Sequence, residues 1–257
     1  MMDSGNREFL TNIQIKTIYC VAFWQQNGSQ MLYSDFERLI STPRIAKYLS
    51  ACGNNTRKAM TLYRANIRLS TEIFSILCLF EIALRNAIDR HYRVTLGNNW
   101  LFDAAQPGTG YLHAVGCEKS LNSVENVITN LGVYYTHDKA IAELTFGFWT
   151  YQFASKEFAA AGSTLLQILP GRPFGTNHTK VFKKLTSINR IRNRIAHHEP
   201  ICFGAPLSIS AAYATQKYNQ IMEVLQWMGV DTKAFLYGID AFQQEKQCIE
   251  GLQMITV

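Results

Sequence analysis

Apolar positions recur along this chain at intervals of three and four, in blocks separated by glycine, proline and asparagine, and the pattern predicts helices almost throughout. Phe9 to Trp24 has helical length and ends at the turn pair Asn27-Gly28, so residues 1–30 read as an extension ahead of the main fold, which takes residues 31–257. A new block opens at Tyr33, and Ser41-Thr42-Pro43 is a helix start with a capping hydroxyl before proline. Gly53-Asn54-Asn55 interrupts the pattern. Two helices are expected next, Thr56 to about Asn66 and Thr71 to about Tyr92, with Ser70 or Thr71 capping the second. From Ile73 to Leu84 the second is apolar nearly all round, the mark of a central, buried element.

Gly97 to Gly110 reads as a long loop. Helices follow at Glu118 to Asn130, stopped by Gly132, and from Asp138 to about Ala159. The aromatic row Phe146-Gly-Phe-Trp-Thr-Tyr-Gln-Phe153 reads as core, and Gly147 suggests close approach of a neighbouring helix. A second long loop, Gly162 to Asn177, precedes a helix from about Thr179. The last elements are a helix near Ser208 to Met228, a turn capped by Asp231 and a helix near Asp240 to Met254. No stretch has the period of two that marks a strand, so the fold class is all-α.

Composition changes this picture little. Of the 257 residues 47% are hydrophobic and 17% charged, enough for a sizeable core. The net charge of +6 is a mild bias toward an anionic partner. The six cysteines show no Cys-x-x-Cys and no regular interval, which argues against a disulfide framework or zinc site and for thiols in a reducing compartment. No signal peptide and no membrane span is recognisable, so a cytoplasmic protein without membrane contact is expected.

The candidate chemistry lies in Ser187-Ile-Asn-Arg-Ile-Arg-Asn-Arg-Ile-Ala-His-His-Glu-Pro200. Pro200 disfavours the helical region for Glu199, so a helix through Ile188, Ile191 and Ile195 should stop near His198. Arg190, Arg192 and Arg194 supply fixed charge in a fork that suits phosphate. His197 and His198 sit where the last carbonyls of the helix favour an imidazolium and three guanidiniums oppose it, a balance that suits acid–base work. Earlier in the chain Glu81 and Arg85 stand four apart on one helix face. They are either a structural ion pair or, with Asn86, a support beneath the Arg192–His197 segment.

An arginine shortly before a histidine is a weak signal alone, since Arg85 and His91 repeat it. The full string Arg192-Asn-Arg-Ile-Ala-His-His-Glu-Pro200 resembles the signature of the Abi-like (abortive infection) family, a branch of the HEPN superfamily of helical ribonucleases. Phe80-Glu-Ile-Ala-Leu-Arg-Asn-Ala-Ile88 is similar to that family's other recurrent segment, an acidic residue before Leu-Arg-Asn. The Phe146-Gly-Phe-Trp149 element resembles a third part of its pattern. The resemblance runs from about Tyr33 to at least Pro200. It implies an HEPN-type helical bundle, here with extra N- and C-terminal helices. It further implies a metal-independent, cofactor-free endoribonuclease of the toxin or phage-defence type that attacks RNA through the 2′-OH and works as a homodimer. Arg192, Asn193 and His197 would be catalytic, with His198, Glu81, Arg85 and Asn86 supporting and Arg190 and Arg194 binding RNA. An antitoxin or regulatory RNA would be a natural partner.

Other readings weigh less. His197-His198-Glu199 invites a metal, but consecutive helical residues diverge by about 100° and chelate one ion poorly. The Pro170–Gly175 loop lacks the Gly-Lys-Ser/Thr ending of a phosphate loop, and no helix-turn-helix supports a DNA-binding regulator. The principal alternative is a non-catalytic HEPN module that binds RNA, nucleotide or a protein partner. Such a module needs the arginines but not an imidazole at position 197.

Overall fold

The computed structural model describes residues 31–254, and the expected extension at 1–30, with Cys20, lies outside them. In chain order the helices are α1 (Tyr33–Ile40), α2 (Thr42–Ala51), α3 (Thr56–Thr95), α4 (Trp100–Ala104), α5 (Glu118–Leu131) and α6 (His137–Glu143). Then come α7 (Phe146–Tyr151), α8 (Ser155–Ala160), α9 (His178–Ala196), α10 (Ala212–Trp227), α11 (Thr232–Phe235) and α12 (Phe242–Met254). The chain is mostly helical, as the periodicity predicts. One small departure is an antiparallel pair of two-residue strands, β1 (Phe203–Gly204) and β2 (Ser208–Ile209), ahead of α10. None of the described helices is long and apolar enough to cross a membrane.

The two helices expected between Thr56 and Tyr92 are one, α3, of 40 residues. Asn55 starts it by accepting the Lys58 amide, 2.9 Å. No glycine or proline interrupts it, and the Thr71 hydroxyl bonds back to the Ile67 carbonyl, 3.0 Å, rather than capping a new helix. Nor is it buried all round. Ile73, Ile76, Leu77, Phe80, Leu84 and Ile88 are covered, while Phe74, Cys78 and Ile82 face outward.

Between Asp138 and Ala159 the opposite happens, and one expected helix becomes α6, α7 and α8. Leu144, Phe146, Phe148, Trp149, Thr150 and Phe153 are all buried. A straight helix cannot turn so many closely spaced positions toward one core. Extended residues at Leu144, Thr145 and Ala154 re-aim the chain between the segments. The aromatic row is core, as expected. Gly147 does not enforce close approach, since a Cβ there would stand 3.8 Å from Asn189 Nδ2, an ordinary contact.

The described residues divide into two compact units. The first takes the chain up to Ile73, His198–Thr215 and the chain from Asp240. In it Tyr48 packs edge-on to Tyr63 and Phe203, each at 5.0 Å. Buried Asn66 accepts the Ile201 amide, 2.8 Å, and Arg68 pairs with Glu245, 3.1 Å, tying the segments together. The second unit is Phe74–His197 with Gln216–Ile239. Its core is aromatic: Trp100 meets Tyr92 at 4.8 Å and Trp149 at 6.4 Å, and Phe80 meets Phe146 at 5.8 Å. Residues carrying the candidate chemistry lie in this unit, except His198.

Candidate functional site

Helix α9 carries the arginine–histidine segment. Asn177 starts it by accepting the Lys180 amide, 3.0 Å. Val181, Leu185, Ile188 and Ile191 bury one face, and the helix packs on α7 and α8. It ends at Ala196, two residues before the expected stop. The His197 amide still donates to Asn193 O, 2.9 Å, and its backbone (φ −89°, ψ 9°) stays close to helical. The break comes at His198, whose φ of 56° lies in the left-handed region that commonly ends helices.

Two rows run along α9. Lys180, Lys183, Ser187, Arg190, Arg194 and His197 follow each other at steps of three and four and share one side. Lys180, Lys183, Arg190 and His197 on this row are exposed, as is neighbouring Asn193. Val181, Leu185, Ile188, Arg192 and Ile195 form the second row at the same steps. Arg192 thus stands in the apolar row, half-buried. Five residues of helix separate it from His197 by about 140° around the axis. Because the helix runs through Ala196, nothing between them relieves that angle.

Arg192 lies near enough to Glu81 of α3 for their charges to interact, with no ion pair or hydrogen bond between them among the described residues. Glu81 is half-buried, and burial pushes its carboxyl up. Arg192 most strongly, then Arg85 and a hydrogen bond from the Phe146 amide, pull it back without restoring the usual range. The Cys78 thiol, outward-facing but partly shielded from water by its neighbours, is also pushed up, with Glu81 adding to the effect and Arg192 opposing it. The fold therefore brings Glu81, Arg85 and Arg192 together, although Arg192 outweighs the expected partner Arg85. Arg85 Nε is buried and has no hydrogen-bond partner. Asn86 is exposed, and among the described residues no hydrogen bond joins it to α9.

His197 carries no hydrogen bond to its ring among the described residues. His198 opens the first unit, where its carbonyl accepts from Arg44 Nη1, 3.1 Å. Arg190 is exposed near Lys217, a buried lysine whose amine donates to Ser187 Oγ, 2.5 Å. Burial, then the Arg190 charge, hold that amine below the usual lysine range. Arg194 is half-buried on the same row.

A second polar cluster escaped the sequence reading. Asp89 accepts from His137 Nε2 at 2.7 Å, Trp100 Nε1 at 2.8 Å and Arg93 Nε at 2.8 Å, and Arg93 also reaches Asp138 at 2.6 Å. Burial alone would push the Asp89 carboxyl up, but these hydrogen bonds together hold it below its usual range. The His137 side chain is only 8% exposed, so this Asp–His pair is closed to a substrate. Asp89 and Arg93 at four apart were readable as a helix pair, but no local signal joins them to His137 or Trp100. Among the described residues no group of three or more His, Cys, Asp or Glu side chains converges as metal ligands would.

Compared with family models, curated proteins and solved structures, the chain has no match. The family resemblance therefore rests on the short segments around Glu81, Phe146 and Arg192 alone.

Proposed function

We propose that this chain is a metal-independent endoribonuclease of the abortive-infection or toxin type, built on an HEPN-type bundle. One observation carries the reading. Two segments a hundred residues apart, each singled out on its own, meet where Glu81 and Arg85 face Arg192. An arginine set in an apolar row near a half-buried acid is costly as mere structure, whereas a guanidinium with no bond of its own is free to meet a phosphate.

The chemistry follows from the groups present. The ribose 2′-oxygen attacks the adjacent phosphorus as the bond to the 5′-oxygen breaks, leaving a cyclic phosphate and a free 5′-hydroxyl. His197 takes the 2′-OH proton, and an imidazolium returns one to the leaving oxygen. Arg192 stabilises the charge gathering on the phosphoryl oxygens, drawn toward Glu81, which Arg85 also neighbours. Asn193 orients the phosphate, His198 is the reserve imidazole, and Arg190 with Arg194 holds the flanking backbone. Since Arg192 and His197 of one helix diverge by about 140°, the site is completed across a two-fold axis by a second copy.

The test is purified chain on end-labelled RNA with excess chelator, with the all-deoxy strand alongside. RNA should be cut to cyclic-phosphate ends and DNA left intact. RNA that is bound but never cut would replace this reading with the non-catalytic module.

A further inference from the structure

Resting on the ribonuclease reading, we infer that a single strand of RNA lies along the solvent face of α9, from His197 to a base-stacking platform at Phe174. Helix α9 contains six lysines and arginines and no acidic residue. Two of the six are engaged inside the second unit: Arg192 faces Glu81, and Lys184 pairs with Glu223 beneath the Trp227 ring. Of the cations on the outer row, Lys180, Lys183 and Arg190 are exposed and Arg194 is half-buried. Among the described residues Lys183 and Arg190 have no carboxylate partner. From Lys180 to His197 the row is about 25 Å long.

At the far end stands Phe174, whose relative exposure of 107% is the highest of any large hydrophobic residue described. Its loop is pinned. The Gly171 amide donates to Trp227 O, 2.9 Å, and Arg172 Nη1 donates to Leu166 O, 2.8 Å. Gly175 turns the chain with φ 74°, and Lys180 Nζ donates to its carbonyl, 3.1 Å. The first cation of the row is thus tied to the loop that presents the aromatic ring.

Exposed cations at Lys183 and Arg190, with His197 at one end and a free aromatic face at the other, are the combination that holds single-stranded nucleic acid, backbone on the charges and base on the ring. A duplex fits poorly, since one straight row meets one backbone and paired bases offer Phe174 no free face. An acidic peptide would answer the cations but not the ring.

The experiment uses the full chain carrying His197→Ala, so that RNA stays intact, and strands of about twelve nucleotides with 2-aminopurine at either end. Stacking on Phe174 should quench one of the two end labels. Adding Phe174→Ala should abolish that quenching and weaken binding about tenfold. Tyr134→Ala, which removes an exposed aromatic away from the row, should change neither. Lys183→Ala should reduce the salt slope by about one phosphate contact. If the chain binds RNA but Phe174→Ala and Lys183→Ala bind like their parent, the path is wrong and the ribonuclease reading survives. Equal affinity for duplex RNA overturns the path as well. If the parental chain neither binds nor cuts RNA, both readings fall together.

Discussion

Two polar clusters lie on the second half of α3, and they differ in how completely their groups are satisfied. Around Asp89 the carboxylate takes three donors, from His137, Trp100 and Arg93, and sits below its usual pKa range. Two turns earlier, Glu81 has two guanidiniums nearby but one amide donor, and it stays above its usual range. Arg85 Nε beside it is buried without a hydrogen bond, and on the motif helix His197 stands open to solvent. The first cluster contains the Asp–His pair that looks catalytic on paper. Each cluster leaves one buried nitrogen without a hydrogen bond, His137 Nδ1 in the first and Arg85 Nε in the second, but only the second also has a carboxylate short of donors and an exposed imidazole on the motif helix. Polar groups already paired hold a fold together, while those held but unfilled are available to a ligand.

Exchanging the histidines gives the largest expected contrast. His197→Ala should lower RNA cleavage at least a hundredfold, at about the lower bound for losing a general acid–base, and leave the melting temperature unchanged. His137→Ala should do the reverse and cost about 2–4 kcal/mol of stability, because it strips a donor from a buried carboxylate. Denaturant titration and single-turnover cleavage on both variants decide it. A stable His137→Ala protein that has lost cleavage would make the Asp89 cluster the active site.

A smaller signal comes from mixing two dead variants. Arg192→Ala and His197→Ala should each be inactive, and subunit exchange between them should restore cleavage. A mixed two-fold dimer holds one site with intact Arg192 facing intact His197, so an equal mixture should approach roughly a quarter of the parental rate. A mixture that stays dead after exchange, or a monomer by light scattering that cuts RNA, removes the composite site and leaves the chemistry standing.

The contrast between the clusters also marks what was legible in the sequence. Local signals served well. Asp231 caps its helix and Gly132 stops α5, as expected. Pro200 predicts the end of α9 to within two residues. Glu81 and Arg192 were each marked by their own surroundings, so their meeting could be anticipated. The Asp89 cluster could not, because His137 is 48 residues away and reaches Asp89 only through tertiary packing. The Phe146 amide was missed for a related reason. It is free to bond Glu81 because the expected long helix breaks at Leu144 and Thr145, and that break is imposed by how much aromatic surface must be buried. At Ser70 and Thr71 the error ran the other way, since a possible cap is not used where the helix can simply continue.

The finest test lies in pH, where the two carboxylates should move stability in opposite directions. Asp89 is depressed in the folded state, so its contribution is present above the ordinary aspartate value of about 3.9 and is lost as pH falls through the lower folded value. Asp89→Asn should therefore be less stable than the parent at neutral pH, with the gap closing in acid. Glu81 is raised, so folding favours its protonated form. Its charged form works against stability above the folded value, and that cost fades as pH falls toward the ordinary glutamate value of about 4.3. Glu81→Gln should thus equal or exceed the parent in melting temperature at pH 7, and the difference should vanish near pH 4. Its amide oxygen can still accept from Phe146, but it no longer attracts Arg192, so RNA cleavage should fall severalfold in the more stable protein. A Glu81→Gln variant that is less stable at pH 7 and cleaves at the parental rate would turn Glu81 into a structural residue and leave Arg192 without its aiming partner.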